Sequence, residues 1–266
     1  MRLGVIGCGK MGRALVGGII ASSICRAADV FVYDAYAPAI DSMVRDLGVQ
    51  PKASNSEVVD ASDVVLLCVK PQIFPEMLSQ LGESRDRLLI SIAAGIQIET
   101  IEEGCQHRHR VIRVMPNTPA LVGRGASGFA LGTKATPEDG RTTLSLLEAV
   151  GYACQVEEEQ LDAVTSVSGS GPAYIFLMIE ALIAEGVAQG LSEEIAKELA
   201  TETVAGAAEL LRQSEESPAT LRENVTSPNG TTFAALESFR EAGFTEIVRN
   251  AVAAAADRSR ELGKPS

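Results

Sequence analysis

The stretch Arg2-Leu3-Gly4-Val5-Ile6-Gly7-Cys8-Gly9-Lys10-Met11-Gly12 decides the fold class of this chain. A short apolar run ends in a GxGxxG turn, and a helix-like segment follows from Met11 to about Ala21. Gly7 permits the tight turn, Gly9 lets a pyrophosphate approach the backbone, and Gly12 lets the helix pack against the strand. The free N–H groups and positive dipole end of such a helix hold phosphate. A glycine-rich turn alone is a weak signal and has a purely structural alternative. Strand before and helix after are the context that dinucleotide binding requires.

Outward from this turn, the pattern continues to about residue 156. Strands are expected at Arg2–Ile6, Val30–Tyr33, Val64–Val69, Leu88–Ile92, Val111–Met115, Gly128–Leu131 and Tyr152–Val156. The first five are rich in Val, Ile and Leu, as strands covered on both faces are. Helix-like segments between most of them argue for βαβ units and a parallel sheet. After Glu157-Glu158-Glu159 only helices are expected. From Pro172 to Gln189 the polar side chains are Glu180, Glu185 and Gln189, with Gly190 as a stop and Ser192 as the next N-cap. A helix so apolar needs burial on most faces, which suggests a subunit interface; the central helix of a monomeric bundle is the alternative. The expected architecture is α/β: an N-terminal Rossmann-type doubly wound sheet in residues 1–156, then an all-α domain in 157–266.

Composition narrows the partners. The chain has 266 residues, 46% hydrophobic, with a formal net charge of −12. An acidic surface repels phosphate backbones and anionic lipid, so no nucleic acid and no membrane partner is expected. No uninterrupted apolar run reaches the roughly 18 residues of a membrane span. Glycines break the apolar opening, which speaks against a signal peptide. Cys8, Cys25, Cys68, Cys105 and Cys154 are scattered and show no CxxC spacing. Neither a disulfide framework nor a metal site is suggested, and the cytoplasm is the expected compartment.

Candidate ligand positions follow from the strand ends. Asp34 closes the second strand 22 positions past Gly12. A carboxylate there accepts from the adenosine ribose hydroxyls and repels a 2′-phosphate, so NADH is favoured over NADPH; a solvated loop aspartate is the alternative. Lys70, in Val69-Lys70-Pro71-Gln72, lies where open α/β sheets bind ligands, or is a surface lysine. Ala93-Ala94-Gly95 offers small residues for a nicotinamide ring, and Asn117 and Thr118 are polar handles between Pro116 and Pro119. In the helical half, Ser168-Gly169-Ser170-Gly171-Pro172 precedes the apolar helix. Asn224-Val225-Thr226-Ser227-Pro228-Asn229-Gly230-Thr231-Thr232 combines a turn with a helix start. N–H groups around Gly230–Thr232 suit a carboxylate, though plain threonine capping remains open. His107 and His109 are expected at the surface. With no Ser-His-Asp set, alcohol oxidation is poorly served. A protonated imine accepts hydride without a dedicated acid.

Taken in order, five motifs, Gly7–Gly12, Val69–Pro71, Met115–Pro119, Ser168–Tyr174 and Asn224–Thr232, resemble pyrroline-5-carboxylate reductase. The resemblance implies reduction of 1-pyrroline-5-carboxylate to L-proline with NADPH or NADH. It also implies a homodimer built by the helical domain, with dimers assembling further into decamers. It carries cofactor contacts onto Cys8, Lys10, Met11, Asp34, Asn55, Val69, Lys70 and Ala94, and substrate contacts onto Glu158, Asn224, Thr231 and Thr232. Thr232 is then the polar group nearest the chemistry. Relatives suited to NADPH carry other residues at Asp34. The rivals are a related imine or β-hydroxyacid reductase, although Pro172–Gln189 lacks the lysine of the latter, and a non-catalytic dinucleotide sensor.

Overall fold

A computed structural model describes residues 1–263. Eight strands form one sheet: β1 (Leu3–Ile6), β2 (Val30–Tyr33), β3 (Gln50–Pro51), β4 (Val64–Leu67), β5 (Leu88–Ser91), β6 (Arg110–Met115), β7 (Gly125–Leu131) and β8 (Gly151–Gln155). Their order is β3-β2-β1-β4-β5-β6-β7-β8, so the winding reverses between β1 and β4, where such sheets open a ligand crevice. Ile6 aligns with Tyr33 on one side and Leu67 on the other, and Leu67 with Ser91. The residues that follow these strands therefore emerge at one edge.

The sheet is parallel from β3 to β6, but β7 runs antiparallel to β6, and β8 follows β7. This departs from the all-parallel expectation for a simple reason. Only residues 116–124 join β6 to β7, too few for a crossover of about a dozen residues. The chain must therefore turn back.

Helices α1 (Lys10–Ala21), α2 (Ala37–Leu47), α3 (Asn55–Ala61), α4 (Phe74–Ser79), α5 (Ile98–Gly104) and α6 (Pro137–Glu148) cover the sheet. Strand alternation splits the core in two. Val64 and Leu66 pack with Leu15 and Ile19 of α1, while Val65 and Leu67 pack with Val58 of α3 and Phe74 of α4. Both faces are thus apolar, which is why the central strands lack a polar side. α6 starts on a capping box in which Thr136 and Asp139 bond each other's backbone, with Pro137 in the first turn, a strong start signal.

The chain divides into two compact units. Among the described residues, one comprises 1–170 together with 255–263; the other is 171–254. The first also contains the short helix α7 (Leu161–Val164) and a π-helical turn, Thr165–Gly169. The second contains α8 (Gly171–Ala188), α9 (Glu193–Gln213), α10 (Pro218–Asn224), α11 (Thr231–Glu241) and the start of α12 (Phe244–Leu262). Ser192 caps α9 as expected, accepting from the Ile195 N–H. α8 has no buried residue, and Phe176 and Leu177 are 59% and 67% exposed. By length and mean hydropathy the helical run Glu158–Ala188 could cross a membrane, a property that a search for uninterrupted apolar residues does not register.

Candidate active site

The glycine loop sits at the carboxyl edge of β1, and each glycine has its own reason to be there. Gly7 has φ +102°, and a Cβ on it would lie 2.7 Å from the Cys68 carbonyl carbon. A Cβ on Gly12 would overlap the Gly7 carbonyl oxygen, so larger residues would push α1 off the strand. Around Gly9 nothing lies within 4 Å of such an atom, leaving room for a ligand. Gly9 is also the N-cap of α1 and makes no side-chain cap bond, so the first-turn N–H groups stay available to an anion.

Asp34 locks this loop. One carboxylate oxygen accepts from the Cys8 N–H at 2.7 Å and the other from the Tyr36 N–H at 2.8 Å. Burial, reinforced by the Asp34 charge, pushes the Cys8 thiol up to about 12. Burial and the neighbouring Cys8 push the Cys68 thiol up as well. Both therefore stay protonated near neutral pH and act as packing groups rather than nucleophiles.

Beside the loop opens a cleft of about 500 Å³. Gly7, Gly9, Asp34, Asn55, Val69 and Lys70 line it, as the sequence suggests. Tyr33, Ile73, Glu76, Met77 and Gln80 line it too and were not foreseen. The available signal was position: Glu76 and Gln80 lie four residues apart just beyond the Val69-Lys70-Pro71 strand end. Cys8, Lys10, Met11, Gly12, Pro71, Ala93, Ala94 and Asn117 are outside this lining. Lys10 instead borders a second hollow along α1.

The Ala93–Gly95 turn follows β5. Ala93 is buried and Ala94 exposed. Gly95 has φ +75°, and a Cβ there would lie 3.2 Å from the Leu262 carbonyl. Next to this turn, one oxygen of Glu158 accepts from the Ile98 N–H at 2.8 Å and from Arg113 Nη1 at 2.9 Å. Glu158 thus ties the first residue of α5 to β6. Asn117 is spent on the backbone: its oxygen takes the Ala126 N–H and its nitrogen donates to the Ser168 carbonyl.

In the second unit, Gly230 is the N-cap of α11 and makes no side-chain cap bond. The N–H groups of Thr231 and Thr232 open that helix, with Thr231 exposed and Thr232 half-buried. A Cβ on Gly230 would run into the Ser227 hydroxyl, so the turn is as tight as Pro228-Asn229 implies, with Asn229 at φ +57°. Asn224 is exposed and donates its amide nitrogen to Glu216 at 3.0 Å.

One expectation is corrected. His107 is exposed, but His109 is 1% exposed. Its Nδ1 accepts from the Arg87 N–H at 3.3 Å, and its Nε2 is buried without a partner. It falls in a polar stretch, yet it sits just before β6, where the chain enters the sheet. Burial first, then the Arg108 and Arg87 charges, pull its pKa down to about 4. It is a neutral core side chain. No group of three or more metal-ligating side chains exists among the described residues.

Comparison with known proteins covers the whole chain. Residues 158–262 match the model for pyrroline-5-carboxylate reductase dimerisation. Residues 2–95 match that for NADP oxidoreductase, coenzyme F420-dependent. The chain is 43% identical over 265 residues to a pyrroline-5-carboxylate reductase of Methanosarcina acetivorans, covering 99% of this chain and 98% of that protein. It is 34% identical to the solved pyrroline-5-carboxylate reductase of Coxiella burnetii, over 99% of each chain with a TM-score of 0.93. To the Plasmodium falciparum pyrroline carboxylate reductase solved with NADP bound it is 32% identical, over 99% of this chain and 98% of that one, with a TM-score of 0.87. An Aspergillus terreus reductive aminase, 18% identical with a TM-score of 0.59, shares the fold alone.

Proposed function

The chain belongs to the pyrroline-5-carboxylate reductase family, and from that membership we infer how its residues divide the reduction of 1-pyrroline-5-carboxylate to L-proline. The enzyme is an NAD(P)H-dependent oxidoreductase acting on a C=N bond, the last step of proline biosynthesis. Residues 1–156 form the dinucleotide-binding domain and 157–266 the substrate-binding and dimerisation domain.

In this assignment the backbone of Gly7, Cys8, Gly9, Lys10, Met11 and Gly12 cradles the pyrophosphate. Asp34 and Asn55 meet the adenosine ribose, and Asp34 tilts the choice towards NADH. Val69, Lys70 and Pro71 flank the dinucleotide at the strand end. Ala93 and Ala94 give the nicotinamide a flat backbone surface, and Asn117 braces the adjoining loop. The reduced nicotinamide, when bound, supplies the hydride. The observation that carries the substrate assignment is the uncapped N-terminus of α11, where Gly230 leaves the Thr231 and Thr232 N–H groups for the substrate carboxylate. The Thr232 hydroxyl holds the ring nitrogen, Asn224 adds a polar contact, and Glu158 keeps α5 in place. An imine that arrives protonated needs orientation and exclusion of water more than a strong acid.

A second copy of the chain covers apolar side chains of α8 such as Phe176 and Leu177, giving a homodimer that assembles into decamers. The enzyme works in the cytoplasm on a small molecule, without nucleic acid or membrane.

Replacing Thr232 with Ala tests the substrate site. With folding checked by circular dichroism, kcat/KM for the imine falls about tenfold or more if the hydroxyl acts in the transition state. An unchanged kcat/KM would leave the reaction in place and remove Thr232 from it.

A further inference from the structure

The cleft of the first unit contains a buried polar atom without a partner, and the bonds around it dictate what it must meet. Asn55 is 5% exposed, and its Oδ1 is buried with no hydrogen bond. Its Nδ2 donates to the side-chain oxygen of Gln80 at 2.8 Å. The direction of that bond follows from chemistry one step away. Gln80 Nε2 donates to Glu76 Oε1 at 3.4 Å, and a carboxylate can only accept. Gln80 must turn its nitrogen to Glu76 and its oxygen to Asn55. Asn55 must then donate its nitrogen, and its oxygen is left as an acceptor in a cleft that all three residues line.

A buried acceptor without a donor is costly, so a ligand that brings a donor to this point binds better than one that brings another oxygen. The charges agree. The lining has two carboxylates, Asp34 and Glu76, against one cation, Lys70. Both Asp34 oxygens already hold backbone N–H groups. A ribose hydroxyl can donate, whereas a 2′-phosphate brings only negative oxygens near neutral pH.

We propose that Glu76 and Gln80 are specificity-determining residues: by fixing the Asn55 amide as an acceptor, they select the ribose hydroxyls of NADH against the 2′-phosphate of NADPH. This rests on the placement of the dinucleotide in this cleft and goes beyond the preference assigned to Asp34. Glu76 and Gln80 are both exposed on the rim, so substitutions there leave the core untouched.

The test is calorimetric binding of ADP-ribose and of 2′-phospho-ADP-ribose to the full-length protein, wild type and Glu76→Gln. The wild type binds ADP-ribose at least about tenfold more tightly. In Glu76→Gln the amide chain can reverse, because a glutamine partner donates as well as accepts. Affinity for the phosphorylated ligand then rises several-fold relative to that for ADP-ribose. An unchanged ratio, an equal loss for both ligands, or a wild type that prefers the phosphorylated ligand would overturn the proposal. If a folded protein binds neither ligand, the cleft assignment falls and the proposal with it. Reduction of the imine by that same protein would still leave the family activity standing.

Discussion

Glu158 is the residue whose removal says most about how the first unit is held together. One of its oxygens serves both Arg113, whose side chain is 10% exposed, and the first N–H of α5. Glu158→Ala leaves a guanidinium in the core without its counter-charge, and uncaps α5. Breaking a buried pair from one side costs about 3–5 kcal/mol. Because the Glu158 side chain is 30% exposed, water softens the loss, and the lower end, about 3 kcal/mol, applies. Glu158→Gln keeps an acceptor for the Ile98 N–H and for Arg113 but removes the counter-charge, so it costs less than the alanine variant, about 2 kcal/mol. The assay is urea unfolding followed by circular dichroism at fixed protein concentration, since association also stabilises the native state. With a slope of about 3 kcal/mol per molar, the alanine variant loses on the order of 1 M in midpoint. If Glu158→Ala unfolds within about 0.2 M of the wild type, Arg113 is satisfied by something else and the reasoning fails.

Three further outcomes follow from the same structure. The folded pKa of His109 is about 4 against an ordinary 6.5, so below pH 6.5 the unfolded chain takes up a proton that the native state refuses. Stability falls as pH drops from 6.5 towards 4, by about 3 kcal/mol in all, and His109→Gln should flatten that part of the urea-midpoint profile; parallel profiles would refute it. Gly12→Ala drives a methyl group into the Gly7 carbonyl and should weaken NADH binding by about tenfold or more in a fluorescence titration, whereas unaltered affinity would show that α1 can shift without cost. Gly230→Ala meets the Ser227 hydroxyl most closely, with the Ser227 carbonyl oxygen next at 3.2 Å, so its higher KM for the imine should be relieved in large part by adding Ser227→Ala, and a double variant as poor as the single one would count against the tight-turn account.

Much of the first unit was legible in the sequence because its signals are local and redundant. Val64–Val69 and Leu88–Ile92 read as strands covered on both faces and end close to the observed Leu67 and Ser91, and the glycine turn needs no distant residue to be understood. β3 was missed since Gln50–Pro51 is two exposed residues paired to β2, without any apolar run of its own. The reversal of β7 was hidden because strand direction depends on connection length rather than on composition. Ser168–Gly171 was read as small residues preceding the apolar helix, and the π turn at Thr165–Gly169, held by bonds such as Ser170 N–H to the Thr165 carbonyl, has no composition signal of its own. His109 was misplaced because tertiary packing, not its polar neighbours, sets its burial. At the candidate site, positions at strand ends were readable. Glu76 and Gln80 were not, because their role depends on which way a helix turns them towards Asn55.

The most direct test of the account is product analysis. Purified protein is incubated with 1-pyrroline-5-carboxylate and NADH or NADPH, and both cofactor oxidation and L-proline are measured. The account predicts proline formed in equal molar amount to the cofactor consumed, faster with NADH. A folded protein that binds the cofactors yet makes no proline with either would contradict it.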